Sequence, residues 1–101
     1  MAVLIYGDGA FEDLHRIARF LSETDPSLVD RTLALVVEGI GILVDHPLVG
    51  RKVELGLREF ILSKGRTGYL VLYDYSADDD SVVVCAIRHQ RESGYRYEEE
   101  A

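Results

Sequence analysis

The residues of this chain best suited to chemistry are the charged ones that end an apolar run near the carboxyl end. Residues 82–87 are all apolar, and Arg88, His89 and Arg91 follow within four positions. Because charged side chains are rarely buried unless they are paired, a strand that ends in these groups presents cations and a titratable imidazole at the rim of a sheet. Such a rim can meet an anion or a partner, or it can be a solvated strand end. The spacing alone leaves both interpretations open.

Other kinds of catalytic or cofactor site are not indicated. The three histidines, His15, His46 and His89, are scattered, and the single cysteine, Cys85, has no partner at metal-ligand spacing. Gly7-Asp8-Gly9 lacks the third glycine and the strand–helix–strand context of a phosphate-binding loop. We therefore expect neither a metal nor a cofactor, and we interpret Cys85 as a small buried hydrophobe rather than a nucleophile.

Length and composition describe a small, folded, acidic domain. The chain has 101 residues, of which 48% are hydrophobic, and a net charge of −7. Residues 1–50 carry three basic and eight acidic groups, whereas residues 51–97 carry eight basic and seven acidic ones. The net charge argues against direct DNA binding by this chain alone, and no apolar run is long enough to span a membrane. We expect a soluble cytoplasmic protein with one domain, residues 1–97, and an acidic tail, residues 98–101.

The first half of the chain should form a strand and two helices. Residues 2–6 are strand-prone. Apolar residues then recur at helical spacing over residues 11–21 and again over residues 29–44. Asp25-Pro26 separates the two periodic segments, and proline is favoured at the first position of a helix. Two helices joined so closely form an antiparallel hairpin.

The second half should supply the rest of the sheet. Three strands are expected at residues 57–62, 68–75 and 81–87, and residues 48–56 are expected to be a loop. Consecutive strands with short turns form an antiparallel meander. The whole order predicts a two-layer α+β fold, with an N-terminal strand, an antiparallel helix hairpin and then a three-stranded antiparallel meander.

Both faces of the predicted sheet are apolar. The strand at 68–75 places Tyr69, Val71 and Tyr73 on one face and Leu70 and Leu72 on the other, and the strand after it is also apolar on both faces. Two helices can cover only one face, and an antiparallel sheet face that meets water normally carries polar residues. We therefore expect the second face to be covered by the tail, by another copy of the chain or by a different chain.

Four segments taken together resemble one superfamily. They are HPLVGR (46–51), GLREF (56–60), GRTGYLVLY (65–73) and AIRHQRESGY (86–95). As an ordered set they resemble the ParE/RelE superfamily, the toxins of bacterial type II toxin–antitoxin modules, which are often labelled plasmid stabilisation proteins. The last segment is more similar to the ParE side. The resemblance implies the same α+β fold and a cognate, ParD-like antitoxin that forms a hetero-oligomer with the toxin.

The resemblance to ParE also implies that this toxin binds and poisons DNA gyrase without catalysing a reaction. Arginine and tyrosine dominate binding hot spots, so the groups expected to contact the target are Arg66, Arg88, Arg91 and Tyr95. The groups expected to contact the antitoxin lie on the sheet, at Arg58, Tyr69, Val71 and Tyr73.

Two alternatives remain open from the sequence. Toxins of the RelE branch cleave mRNA on the ribosome, which requires a base, an acid and cations around one phosphate. Here Arg58, Arg88, His89 and Tyr95 could be placed in those roles. The RelE pattern has clustered lysines, however, and Lys52 and Lys64 are far apart in this sequence. The other alternative is a toxin fold that acts only as an interaction protein.

Overall fold

The computed structural model describes residues 1–62 and 68–90, and within these ranges two helices pack on a five-stranded sheet. The helices are α1 (Asp8–Thr24) and α2 (Val29–Asp45), with short 3₁₀ turns at Pro26–Leu28 and Glu54–Gly56. The strands are β1 (Val3–Tyr6), β2 (Arg51–Lys52), β3 (Arg58–Ile61), β4 (Tyr69–Ser76) and β5 (Ser81–His89). The predicted α+β class and order of elements are confirmed. No helix in the described ranges is both long and apolar enough to cross a membrane.

The sheet has the strand order β1-β5-β4-β3-β2. Strands β3, β4 and β5 form the predicted antiparallel meander, and β1 pairs in parallel with the first half of β5. The prediction that residues 48–56 form a loop was wrong in part, because this segment contains β2 and a 3₁₀ turn. Strand β2 consists of two exposed cationic residues paired with β3 through the backbone, so it has no alternating apolar pattern that the sequence could reveal.

The helices cover the sheet face that carries Tyr69, Val71 and Tyr73. These residues belong to the main hydrophobic core together with Val36, Ile40 and Leu43 of α2 and Ala10, Ile17 and Leu21 of α1. The apolar stripe of each helix therefore lies on the sheet, which is the usual reason why an amphipathic helix is stable in a small domain.

The second face of the sheet is apolar as well. Leu70, Leu72 and Ala86 form a smaller buried cluster there, and Val53, Leu57 and Cys85 pack around it. Ile61, which pairs with Leu70 on this face, is 53% exposed. The expectation of two apolar faces is thus confirmed. The tail that was one of the expected covers lies outside the described residues.

Candidate functional site

The charged end of β5 divides its side chains between the two faces of the sheet. Arg88 pairs with Leu70 and His89 pairs with Tyr69, and residues that pair directly across antiparallel strands share a face. Arg88 therefore lies on the second face and His89 on the helix-covered face. The His89 ring contacts the Tyr69 ring edge-on, with centroids 5.2 Å apart and planes at 87°. The two residues are neighbours in sequence, but their side chains lie in different surroundings.

Two side chains of α1 hold this strand end in place. Strand β1 accompanies β5 only as far as Val84. Beyond that point, an Asp13 carboxylate oxygen accepts a hydrogen bond from the Ile87 N–H at 2.8 Å, and the Arg16 guanidinium donates one to the Ile87 carbonyl at 3.1 Å. The same two side chains form an ion pair at 3.5 Å. We call Asp13 and Arg16 the strand clamp, because together they replace the hydrogen bonds that a further strand would make.

The strand clamp was not found from the sequence. Asp13 is only 4% exposed, and it occupies a position on the apolar stripe of α1, four residues before Ile17. A carboxylate at such a position, followed by an arginine three residues later, is the signal that could have revealed it. A charged side chain on a buried stripe requires a partner.

A second set of polar contacts holds the loop between α2 and β2. The Tyr73 hydroxyl donates a hydrogen bond to the Pro47 carbonyl at 2.8 Å and accepts one from the Gly50 N–H at 2.9 Å. Nη1 of Arg58 donates to the carbonyls of Leu48 and Gly50, at 3.2 and 2.8 Å. We call Tyr73 and Arg58 the loop anchor. The loop anchor joins three of the segments noted in the sequence, since HPLVGR supplies the loop and GLREF and GRTGYLVLY supply Arg58 and Tyr73.

Close packing at the loop anchor restricts both Tyr73 and Gly50. Tyr73 is fully buried, and this burial raises the pKa of its phenol, while the Gly50 hydrogen bond and the Arg58 charge offset part of the rise. A Cβ atom on Gly50 would lie 2.7 Å from the Tyr73 hydroxyl oxygen and 2.9 Å from the Glu59 carbonyl. Only glycine lets the loop approach the sheet this closely.

The residues predicted to bind the antitoxin lie on the helix-covered face. Tyr69 is 7% exposed, and Val71 and Tyr73 are fully buried beneath the helices. A partner chain cannot contact Val71 or Tyr73 unless the helical layer opens. Arg58 is partly buried and its guanidinium is occupied by the loop. The placement of these four residues therefore favours a role in stabilising the fold.

The groups proposed for catalysis do not converge within the described residues. Arg58 pairs with Tyr73 and His89 pairs with Tyr69, so the two lie roughly 13 Å apart along β4 at about 3.3 Å per residue. Arg88 lies on the opposite face from both. The remaining predicted site residues, Arg66, Arg91 and Tyr95, lie outside the residues that the structure describes.

The described residues show neither a cluster of metal ligands nor an activated thiol. Among residues 1–62 and 68–90, no three His, Cys, Asp or Glu side chains gather as ligands for a metal ion. Burial, and to a smaller extent the Asp74 carboxylate, raise the pKa of the Cys85 thiol. The thiolate that a nucleophile requires is therefore disfavoured at this position.

Comparisons with known proteins agree on the family. The family model described as the ParE toxin of the type II toxin–antitoxin system parDE matches residues 4–94. Toxin RelE3 of Caulobacter vibrioides is 34% identical over 86 residues, which cover 85% of this chain and 91% of that protein. The crystal structure of the toxin–antitoxin complex RelBE2 from Mycobacterium tuberculosis contains a similar chain, with a TM-score of 0.62 and 31% identity over 88% of this chain and 98% of that one. The chain belongs to the ParE family within the ParE/RelE superfamily and is the toxin of a type II toxin–antitoxin system.

Proposed function

We propose that this toxin arrests growth by binding and poisoning DNA gyrase, and that a cognate ParD-like antitoxin neutralises it. The observation that carries the proposal is the match of the ParE family model to residues 4–94, nearly the whole chain. Action on gyrase places the protein in the cytoplasm, and maintenance of a plasmid or chromosomal segment is the role expected for such a module.

The geometry of the described residues supports binding rather than turnover. Acid–base catalysis needs its groups within hydrogen-bond reach of the same reacting atoms, about 3 Å. Arg58 of β3 and His89 of β5 pair with residues of β4 that are four positions apart, and Arg88 lies on the opposite face of the sheet. A binding protein has no such requirement, because its contacts can be spread over a surface of roughly 800 Å².

A ribosome-dependent mRNA endonuclease is the second candidate. Two observations favour it: the relatives named above carry RelE names, and Arg88 and His89, although they lie on different faces of the sheet, are adjacent residues at the end of β5. In that case His89 would serve as an acid or base and Arg88 would stabilise the developing charge on phosphate. A toxin fold without either activity is the third outcome that an experiment must be able to detect.

Induced expression in a closely related host separates these functions. A gyrase poison traps cleaved DNA, so we expect the DNA-damage response and filamentous growth while protein synthesis continues at first. An endonuclease would stop protein synthesis first, leave the DNA intact and produce mRNA cut on ribosomes. Growth unaffected by well-folded toxin would reject both proposals and leave the interaction protein.

Two substitutions at the end of β5 sharpen the distinction, because the neighbouring residues lie on different faces. His89→Phe keeps a ring against Tyr69 but removes the titratable nitrogens, whereas Arg88→Ala removes a cation from the second face. If the toxin acts by binding, His89→Phe should retain toxicity within about threefold. If His89 is a catalytic acid or base, its loss should lower toxicity about a hundredfold or more. Loss of toxicity in both variants, with antitoxin binding intact, would support the endonuclease instead.

A further inference from the structure

The loop between α2 and β2 exposes apolar side chains beside a cavity. Leu48 and Val49 are 60% and 53% exposed. Together with His46, Pro47 and Tyr75 they line a shallow cavity of about 400 Å³, a volume within the range of ligand-binding pockets. We call these five residues the exposed corner.

Hydrogen bonds hold the backbone of the exposed corner although its apolar side chains meet solvent. The loop anchor binds the carbonyls of Pro47, Leu48 and Gly50, and the Val49 N–H donates to the His46 carbonyl at 3.1 Å. The Tyr73 hydroxyl and the Arg58 guanidinium thus hold the backbone that carries Leu48 and Val49, while both of these side chains remain more than half exposed. A surface that is fixed before binding loses less conformational entropy when a partner docks.

Acidic residues border the exposed corner on the side of the β4–β5 turn. Asp80 accepts a hydrogen bond from the Tyr75 hydroxyl at 2.9 Å. Asp78 and Asp79 lie in the same exposed turn. The N-terminal ammonium of Met1 lies 3.9 Å from Asp80, which leaves the three carboxylates of the turn with a net negative charge. Arg58, the cation that contacts this loop, is directed at the loop carbonyls. The electrostatic field on this side of the cavity therefore favours a positively charged partner.

We propose that the exposed corner docks an apolar side chain of the antitoxin, carried on a segment with lysine or arginine beside that side chain. The inference rests on the proposed function, which supplies the antitoxin as a partner. A second copy of this chain is a poorer occupant, because its net charge of −7 and its own acidic turn would repel the same surface. The basic segment is the distinctive part of this proposal, since it follows from the acidity of this particular toxin.

The test uses the complex of the tagged toxin with the antitoxin encoded by the neighbouring reading frame, obtained by co-expression. Its dissociation constant is compared for the wild type, Val49→Asp and Val37→Asp. Val37 is a matched control, because it is 48% exposed and lies on α2 away from the cavity lining. We expect Val49→Asp to weaken the complex at least tenfold and Val37→Asp less than twofold, with thermal unfolding showing that both toxins are folded.

A second pair of variants tests the charge. Asp79→Lys should weaken the complex several-fold and reduce its dependence on salt, because it reverses one charge next to the exposed corner. Glu23→Lys makes the same change at the end of α1, at the opposite end of the helix hairpin, and should leave the affinity within twofold.

The outcomes separate this inference from the function on which it rests. A complex that forms but is insensitive to Val49→Asp and Asp79→Lys would overturn only the docking site. A Val49→Asp toxin that binds the antitoxin normally but no longer inhibits gyrase would also overturn it, since the exposed corner would then contact the target. If the wild-type toxin forms no complex with the neighbouring gene product, the proposed neutralisation fails as well.

Discussion

The strand clamp and the loop anchor solve the same problem with different chemistry. In both regions, side chains satisfy backbone groups at places where the hydrogen-bond ladder of the sheet ends. The strand clamp uses an ionised pair, Asp13 and Arg16, to bind both backbone groups of Ile87. The loop anchor uses a neutral phenol, Tyr73, together with the Arg58 guanidinium, to bind residues 47–50.

Each of the two regions supports a different candidate surface. The strand clamp fixes the segment that carries Arg88 and His89, and the loop anchor fixes the exposed corner. Neither set has to touch a partner to matter for function. Removing a buried charge that has a charged partner costs more stability than removing a neutral hydroxyl. We therefore expect mutation of the strand clamp to lower the free energy of unfolding more than mutation of the loop anchor.

The largest expected effect comes from breaking the strand clamp. Asp13→Leu removes the acceptor of the Ile87 N–H and the carboxylate partner of Arg16, and should lower the free energy of unfolding by about 3 kcal/mol. Asp13→Asn keeps an oxygen acceptor and should cost about 1 kcal/mol. Urea unfolding measures both. Glu12→Leu, at an exposed neighbouring position, is the control and should change stability by less than about 0.5 kcal/mol.

Breaking the loop anchor should cost less. Tyr73→Phe leaves the Gly50 N–H and the Pro47 carbonyl without the hydroxyl and should lower the free energy of unfolding by about 2 kcal/mol. Tyr75→Phe is the matched control, since its hydroxyl bonds Asp80 at an exposed site, and it should cost less than about 0.5 kcal/mol. If Tyr73→Phe lowers the free energy of unfolding as much as Asp13→Leu does, charged and neutral anchoring would not differ in their contribution to stability.

Alkaline pH should distinguish the two regions. The pKa of Tyr73 is raised in the folded protein, so the folded state holds the phenol proton more tightly than the unfolded chain does. Its contribution is fully present below pH 10, the ordinary value, and is lost as the pH rises through the raised pKa. Tyr73→Phe should therefore show a shallower loss of stability above pH 10 than the wild type, whereas Asp13→Leu should show the wild-type slope. Equal slopes in all three proteins would contradict this assignment.

The smallest expected effect concerns the turn before β3. Leu55 has φ 63° and is 84% exposed, a backbone conformation that is unfavourable for leucine and tolerated by asparagine. Leu55→Asn should raise the free energy of unfolding by about 0.5 kcal/mol. Leu48→Asn, at an exposed leucine of the anchored loop, is the comparison and should bring no such gain. A loss of stability in Leu55→Asn would show that this turn, too, is supported by contacts of its side chain.

Periodicity was enough to predict most of the fold. The two helical stripes, the three strands of the meander and the apolar character of both sheet faces follow from the spacing of residues such as Val36 and Ile40 in α2 and Val82 and Val84 in β5. These signals are strong because burial on one face imposes a repeat over many residues. Strand β2 was missed because a strand of two exposed cations has no apolar repeat to detect.

Contacts between distant segments could not be predicted. Both faces of the sheet are apolar in sequence, so the sequence could not show which face the helices cover. That choice decides whether Tyr73 meets a partner or holds a loop. The glycines of α2 show the same limit, because a Cβ on Gly39 would lie 2.6 Å from a Leu62 methyl carbon, whereas a Cβ on Gly41 would meet nothing within 4 Å. Only the packing of the folded chain separates such positions.

Inhibition of gyrase can be measured as DNA supercoiling by the purified enzyme, with and without this toxin released in folded form from its antitoxin complex. If the toxin acts by binding gyrase, supercoiling should fall as toxin is added, linear DNA should accumulate from trapped cleavage complexes, and His89→Phe toxin should behave like the wild type. Unchanged supercoiling and no linear DNA at a large molar excess of folded toxin would show that gyrase is not the target.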